Sequence, residues 1–380
     1  MELKLSAENE QVRRLARDFA QAEIKPLVMK YDEAQEFPFE IMHRIGELGF
    51  MGVTIPEKYG GAGLSYVDYC SIIEEISKVD PSIGLSVAAH NGLCTSHIYN
   101  FAREELKQKY LPDLTSGKKI GAWGLTEPTS GSDSASIRTT ARREEGFFVL
   151  NGTKQFTTHG SVGGIAVVMA LTDPSKGKNG ISAFVIEKGI PGFSVGRKEN
   201  KLGMRASDTS TMIFQDVRVP KENLIGNEGE GLKQALQVLD AGRIGIAALA
   251  VGLAQGALDA SVKYARERTQ FGKPLGEFQA IQWKISEAAT KIEAARLMTY
   301  KAAYLKDHGR KIALAAATAK YFASEIAVKC AEEAVQIHGG YGFIKDFPVE
   351  KFYRDVKLLT IGEGTSEVQK MVIARNILNL

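Results

Sequence analysis

The periodicity of apolar positions changes twice along the chain. Up to about residue 118 apolar residues recur at helical spacing: Val12, Leu15, Ala16, Phe19 and Ala20, then Ile41, Ile45 and Leu48, then Ile72, Ile73 and Ile76. The glycine-rich stretch Pro56–Gly63 reads as a loop between them. Ile83–Leu93 is built from small and apolar residues, with His90 and Asn91 its strong polar groups. That composition suits a core helix or the lining of a narrow apolar slot, and a lone histidine there is expected to be buried and satisfied. From 119 to 224 the pattern becomes that of short strands, with runs at Gly121–Leu125, Phe147–Leu150, Lys154–Thr158, Ile165–Leu171, Ile181–Ile186 and Thr209–Phe214. Asn151-Gly152 between two of these runs predicts a hairpin turn. No helical segment separates the strands, so the pattern predicts an antiparallel barrel or sandwich and not a βαβ sheet. Past Gly226, alanine-rich stretches at 231–265, 277–305, 312–337 and 366–379 predict a four-helix antiparallel bundle. The expected fold class is α+β, in three domains: 1–118 helical, 119–224 β, 225–380 helical.

Composition removes several classes of function. At 380 residues and 44% hydrophobic, the chain has the means to bury large cores. Its 48 basic and 45 acidic residues give a net charge of +3 with no basic block, so neither nucleic acid nor an anionic membrane is an expected partner. Cys70, Cys94 and Cys330 are far apart, which suggests a reducing compartment and neither a disulfide framework nor a zinc site. Glu2, Glu8, Glu10, Asp18 and Glu23 interrupt the N-terminal region, against a signal or transit peptide. The longest apolar run, Ile244–Leu258, is shorter than the ~20 residues of a membrane span. A cytoplasmic location and a buried helix at 244–258 are the expectations.

The usual catalytic signatures are missing: no G-x-G-x-x-G follows a strand, and there is no Walker A loop, H-E-x-x-H or G-x-S-x-G. Gly226–Gly231 is an acidic loop before a helix. No metal site is expected. Five segments hold candidate chemistry. Thr126–Ser132 offers hydroxyls and backbone N–H groups suited to a phosphate or the edge of a heterocycle. Lys154–Thr158 sets Phe156 beside Thr157 and Thr158. Arg266–Pro274 is a basic helix end, and Gln336–Gly342 closes a helix with glycines that suit C-capping. Lastly, Glu363 sits between Gly362 and Gly364, just ahead of a helix that Thr365 or Ser366 can cap; Ser366 with Gln369 fits the S-x-x-Q capping box. A carboxylate flanked by glycines ahead of a helix is either an exposed loop residue or one aimed at a ligand.

Taken together these segments resemble the acyl-CoA dehydrogenase family, in order and over essentially the whole chain. The matching motifs are Ala122-Trp123-Gly124-Leu125-Thr126-Glu127-Pro128 with Gly131-Ser132-Asp133, Asn151-Gly152-Thr153-Lys154, Leu239-Asp240-Ala241-Gly242-Arg243, Arg268-Thr269-Gln270-Phe271-Gly272, Gln336–Gly342 and Glu363-Gly364-Thr365-Ser366-Glu367. The resemblance implies a homotetramer with one FAD per subunit, wedged between β domain and bundle. It implies that Trp123, Leu125, Thr126, Ser132, Phe156, Thr157 and Thr158 flank the flavin, with Thr126 and Thr158 donating hydrogen bonds to it. Arg268, Gln279, Gln336, Gly339 and Gly340 would reach the FAD pyrophosphate and adenosine side from a neighbouring subunit, and Thr365, Ser366 and Glu367 would also contact the cofactor. Ser132, Asp240, Arg243 and Gly364 would touch the acyl-CoA.

The implied reaction is α,β-dehydrogenation of a short- or medium-chain acyl-CoA to the trans-2-enoyl-CoA, as in fatty acid β-oxidation. Glu363 would be the base and electron-transfer flavoprotein the electron acceptor. Some relatives carry the base immediately before the arginine that matches Arg243; here that residue is Gly242, which leaves Glu363. Two departures stand out: Gly362 replaces the common tyrosine, and His159 the common asparagine. The absence of Arg or Lys in Ile83–Leu93 weighs against dicarboxylyl substrates. The alternatives are an acyl-CoA oxidase using O2 and, in a different class, a nucleic-acid-binding member of the superfamily without dehydrogenase activity. The second would need a basic face that +3 does not supply.

Overall fold

A computed structural model describes residues 5–380. Seven α-helices come first: α1 (Ala7–Phe19), α2 (Val28–Ala34), α3 (Phe39–Glu47), α4 (Tyr66–Ser77), α5 (Pro81–Ala89), α6 (Ser96–Phe101) and α7 (Glu104–Thr115). Ser6 and Ser65 start α1 and α4 through capping boxes, each accepting from the backbone N–H three residues on. Between α5 and α6 the chain makes a wider π-helical turn, His90–Thr95. Such turns insert a residue into a helix and swing side chains off its regular stripe. Ala16 and Phe19 of α1 and the Ala20 that follows it are buried as the spacing predicts, whereas Leu15 points to the surface.

Eight strands follow: β1 (Gly121–Gly124), β2 (Thr140–Glu144), β3 (Phe147–Thr158), β4 (Ile165–Leu171), β5 (Ile181–Glu187), β6 (Phe193–Lys198), β7 (Thr209–Pro220) and β8 (Leu224–Ile225). They form two layers, β6-β7-β3-β2 and β1-β4-β5-β8, joined where Thr140 of β2 pairs with Leu171 of β4. The pairing is mostly antiparallel, but β1 runs parallel to β4, as does the Thr140–Leu171 bridge. The expected hairpin at Asn151-Gly152 is corrected: β3 is one continuous strand of 12 residues. The register against β7 shifts between Leu150 and Gly152, so the Asn-Gly pair makes a bulge, its Asn151 side chain exchanging hydrogen bonds with Asp216. The turn into β3 is made instead by Glu145-Gly146, with Gly146 at φ +78°.

Strands β4 and β5 are buried on both faces, which is why they read as nearly unbroken apolar runs. Ala166, Val168 and Ala170 face the other layer with Phe148, Phe184 and Phe214, while Ile165, Val167 and Met169 pack on Ile98, Leu111 and Leu114 of the N-terminal helices.

The last third holds α8 (Gly231–Glu267), a short hairpin of β9 (Thr269–Gln270) and β10 (Lys273–Pro274), then α9 (Gln279–Asp307), α10 (Ala313–His338), α11 (Val349–Val356) and α12 (Ser366–Leu378). Helix α8 packs against α4, α5, α9 and α10, so one apolar core runs from the first helices into the bundle. Its most apolar 18-residue window is 78% buried inside the protein, consistent with the buried helix expected at 244–258.

Candidate active site

The loop ahead of α12 is fixed by an unusual number of donors. Its helix is capped by Thr365, whose Oγ1 accepts from Val368 N at 3.3 Å. The S-x-x-Q reading is thereby corrected: Ser366 is already helical, and its hydroxyl donates to Glu325. Gln369 reaches back from α12 and donates to the carbonyls of Glu363 (3.3 Å) and Gly364 (2.9 Å). From α10, the fully buried Lys320 donates to the same Gly364 carbonyl at 2.7 Å. These contacts hold Glu363 at φ +52° and Gly364 at +91°. The first is a left-handed conformation that costs a residue with a side chain of order 1–3 kcal/mol and persists only where its surroundings impose it.

The strained backbone turns the Glu363 carboxylate inward, against α8. A Cβ placed on Gly242 would lie 2.4 Å from Oε2 and 3.2 Å from Leu93, so a side chain at 242 would push the carboxylate out of its present position. Oε2 is buried with no hydrogen-bond partner. Burial pushes the Glu363 pKa up to about 7, against the pull of the Lys320 and Arg243 charges. Desolvation therefore outweighs both nearby cations. The two cations are themselves buried. Lys320 is pushed down to about 8, chiefly by burial. Arg243 pairs with Asp240 at 2.5 Å, while its Nε is buried without a partner.

A second group forms where β1 and β3 end. Lys154 Nζ, wholly buried, donates to Glu127 Oε1 (2.7 Å) and to Leu125 O (3.2 Å). Glu127 also accepts from the backbone of Arg138 (2.6 Å) and Thr139 (3.0 Å). Burial works to raise the Glu127 pKa, but the Lys154 charge and these donors outweigh it and hold it below the usual carboxylate value. The pair pins the loop Leu125–Glu127 beside β3, where Gln155 N also bonds Thr126 O. A second bulge, between Lys154 and Thr157, puts Phe156 at φ +53° with its ring largely exposed. Thr157 is buried with its Oγ1 unpartnered, and Thr158 is half-buried. Trp123 is half-buried, its indole donating to His97 Nδ1, whose Nε2 then donates to Gln234 Oε1. The ring packs with Leu93, Val238 and Leu239, linking this group to the base loop. Ser132 lies on an exposed loop.

Both singled-out histidines are buried and grip the same residue, Gly121. His90 Nδ1 accepts from Gly121 N (2.9 Å) while its Nε2 donates to Leu114 O (3.0 Å), the satisfied core histidine expected. His159, at φ +64°, donates from Nδ1 to Gly121 O (3.0 Å). The departure at 159 thus anchors the start of β1.

The third group stands apart. Arg268, Gly339 and Gly340 line a cavity of about 470 Å³ with Tyr264, His338 and Tyr341. Gln279 and Gln336 are exposed on α9 and α10. Along α10, His338 lies 18 residues beyond Lys320, ~27 Å of helix rise. Within one chain this group and Glu363 are therefore at opposite ends of the bundle. Residues the sequence reading passed over are Lys320, His97 and Tyr69 in the core, and the Lys154–Glu127 pair. The last two lie inside quoted motifs, but only their pairing across 27 positions gives them a role.

A helical domain, a two-layer β domain and a helical bundle, with the enclosed and unpartnered Glu363 Oε2 lodged between α8 and the loop ahead of α12, have the makings of a small-molecule enzyme. The acyl-CoA dehydrogenase N-terminal, middle and C-terminal domains match residues 6–118, 122–217 and 229–378. The chain is 48% identical over 377 residues to a short-chain specific acyl-CoA dehydrogenase of Clostridium acetobutylicum, covering 99% of this chain and all of that one. It superposes on butyryl-CoA dehydrogenase of Megasphaera elsdenii with a TM-score of 0.98 at 42% identity, over the whole of both chains. A chain in the structure reported for the electron transferring flavoprotein of Acidaminococcus fermentans gives 0.99 at 46%, again over both chains entire. The chain belongs to the acyl-CoA dehydrogenase family of oxidoreductases.

Proposed function

We propose that the protein is an FAD-dependent dehydrogenase of short-chain acyl-CoA thioesters, with Glu363 removing the α-proton. One observation carries the reading: a desolvated carboxylate with an unpartnered oxygen, held in a strained loop against Gly242. A base is most effective when its pKa lies near the working pH, and burial has brought Glu363 to about 7. Lys320 and Gln369 hold its loop, so the carboxylate is aimed before substrate arrives. The Glu363 backbone N–H is the chain's own donor for the thioester oxygen as charge builds there; one such donor is worth ~2.7–4 kcal/mol.

Trp123, Leu125, Thr126, Phe156, Thr157 and Thr158 would hold the flavin ring. The exposed Phe156 ring and the orphaned Thr157 hydroxyl suit a flat heterocycle with polar edges. Arg268, Gln279, Gln336, Gly339 and Gly340 of a neighbouring subunit would take the pyrophosphate and adenosine, for which a guanidinium's paired donors are suited. The bound cofactor supplies a hydride acceptor for the β-hydrogen. A homotetramer is supported by the separation of the two groups and by exposed Phe271, Trp283 and Phe343. An electron-transfer flavoprotein is the proposed acceptor; one solved chain of similar fold comes from work on such a protein.

The test is Glu363→Gln, purified with FAD and mixed anaerobically with butyryl-CoA. FAD content and substrate binding should stay normal while flavin bleaching slows by about 10²–10⁴-fold. Bleaching at the wild-type rate would refute the assignment.

A further inference from the structure

His97 lies in none of the matching motifs, yet from the N-terminal domain it joins the β domain to the bundle. It stands on α6, fully buried, bonded to Trp123 of β1 on one side and to Gln234 of α8 on the other. Its ring packs edge-on against Phe101, 5.4 Å between centroids. These polar groups form a chain that can run in one direction alone. An indole N–H donates and cannot accept, so His97 Nδ1, 3.0 Å from Trp123 Nε1, must carry no proton. The ring proton then sits on Nε2, and Gln234 must turn its Oε1 toward it, at 3.0 Å. That leaves the Gln234 amide nitrogen to face the carbonyl of Ile225, a group that only accepts, at 3.1 Å. With a donor closing one end and an acceptor the other, tautomer and amide orientation are both fixed. Space is kept for the chain as well: a Cβ on Gly226, in the acidic loop ahead of α8, would lie 2.4 Å from the Gln234 amide nitrogen.

We infer that His97 is a positioning residue for the oxidoreductase reaction: it sets the angle of the Trp123 ring, and Trp123 forms part of the flavin's wall. This rests on the reading of Trp123 as a flavin-flanking residue. Packing alone does not orient that ring. Leu93, Val238 and Leu239 cover part of it and the rest is open, and apolar contacts have no preferred direction. A hydrogen bond has one, since it weakens steeply as donor and acceptor fall out of line. The bond from the indole to Nδ1 therefore supplies the angle that the apolar neighbours cannot. Burial pushes the His97 pKa down to about 4, against the Gln234 bond, so Nδ1 stays free to accept at neutral pH. On this reading His97 touches neither substrate nor cofactor and acts through Trp123.

The test compares wild-type, His97→Phe, His97→Asn and Trp123→Phe holoenzymes and the double variant His97→Phe with Trp123→Phe. Each is read by the flavin's visible spectrum, its midpoint potential and anaerobic bleaching by butyryl-CoA. His97→Phe keeps a ring but offers no acceptor. It should shift the spectrum and the potential and slow bleaching by about 10- to 100-fold, the cost of a group displaced by about 1 Å. His97→Asn sets an amide oxygen as many bonds from the backbone as Nδ1, and should restore the spectrum, the potential and most of the rate. Trp123→Phe should alter the flavin by itself, and adding His97→Phe to it should change nothing further, because no indole is left to hold. Should His97→Phe not accumulate, His97→Phe with Gln234→Leu takes its place, since no amide then faces an apolar ring. Wild-type flavin properties in the His97→Phe enzyme or its substitute overturn the inference, as does an asparagine variant no better than the phenylalanine one. An effect of His97→Phe as large without the indole as with it also overturns it, for His97 would then act by packing alone. An unaltered flavin in Trp123→Phe would instead sink the reading of Trp123 as flavin wall, and the inference with it.

Discussion

Two carboxylates, the buried Glu127 and Glu363 with its enclosed Oε2, each lie near a buried lysine, and they have been treated in opposite ways. Glu127 is saturated: Lys154 and two backbone N–H groups occupy its oxygens, and its pKa is held low. Glu363 is starved: its lysine is spent on the neighbouring Gly364 carbonyl, Oε2 has no partner, and its pKa is raised to about 7. Burial is common to both. What separates a structural carboxylate from a reactive one is where the adjacent ammonium points. Lys154 neutralises its acid; Lys320 fixes the backbone and leaves the acid to titrate.

The largest effect is expected from opening the closed pair. Lys154→Met strands Glu127 without its cation and should cost about 3–5 kcal/mol of stability, read as a fall in the denaturation midpoint. The double variant Lys154→Met with Glu127→Gln should recover part of that loss, because no uncompensated charge remains.

Next comes the open carboxylate. Its folded pKa lies above its ordinary value of 4.5, so its contribution to stability is present below 4.5 and lost as pH rises through about 7. Glu363→Gln should therefore match wild type in thermal midpoint at pH 4 and exceed it at pH 8.5, by up to about 2–3 kcal/mol. An equal gap at both pH values would mean that ionisation of Glu363 is not the source. The smallest effect should follow Lys320→Met. Removing a charge that lowers the Glu363 pKa should move the half-point of the flavin-bleaching pH profile upward; a profile that drops in height without moving would mean that Lys320 only supports the loop.

Much of this was legible in one dimension. The change from helical to strand period and back tracked the helices and strands closely, because β4 and β5 alone among the strands hide both faces and the helices carry clear stripes. Glu363 and the segments proposed to hold the flavin were singled out through ordered motifs, not through local chemistry, since each is turn-like by itself. The misreadings have physical causes. Asn151-Gly152 suits a tight turn and a bulge equally well, and only the partner strand β7 decides between them. Thr365 and Ser366 both cap, and the choice depends on Glu325, which takes the Ser366 hydroxyl. Lys320 and His97 carry no signal in sequence because their meaning is a distance to residues far along the chain. Gly242 was noticed for lacking a carboxylate, when its more informative property is the space it leaves for one.

The ~27 Å of α10 between Lys320 and His338 has a consequence for the assembly. On the proposed reading no single polypeptide owns a complete catalytic centre: each lends one end of its bundle to a sister and borrows the opposite end in return. Dilution past the point of dissociation would then disarm the enzyme without altering one covalent bond. Two dead variants, one lesioned at Glu363 and the other at Arg268, would restore working centres to each other when folded into the same oligomer.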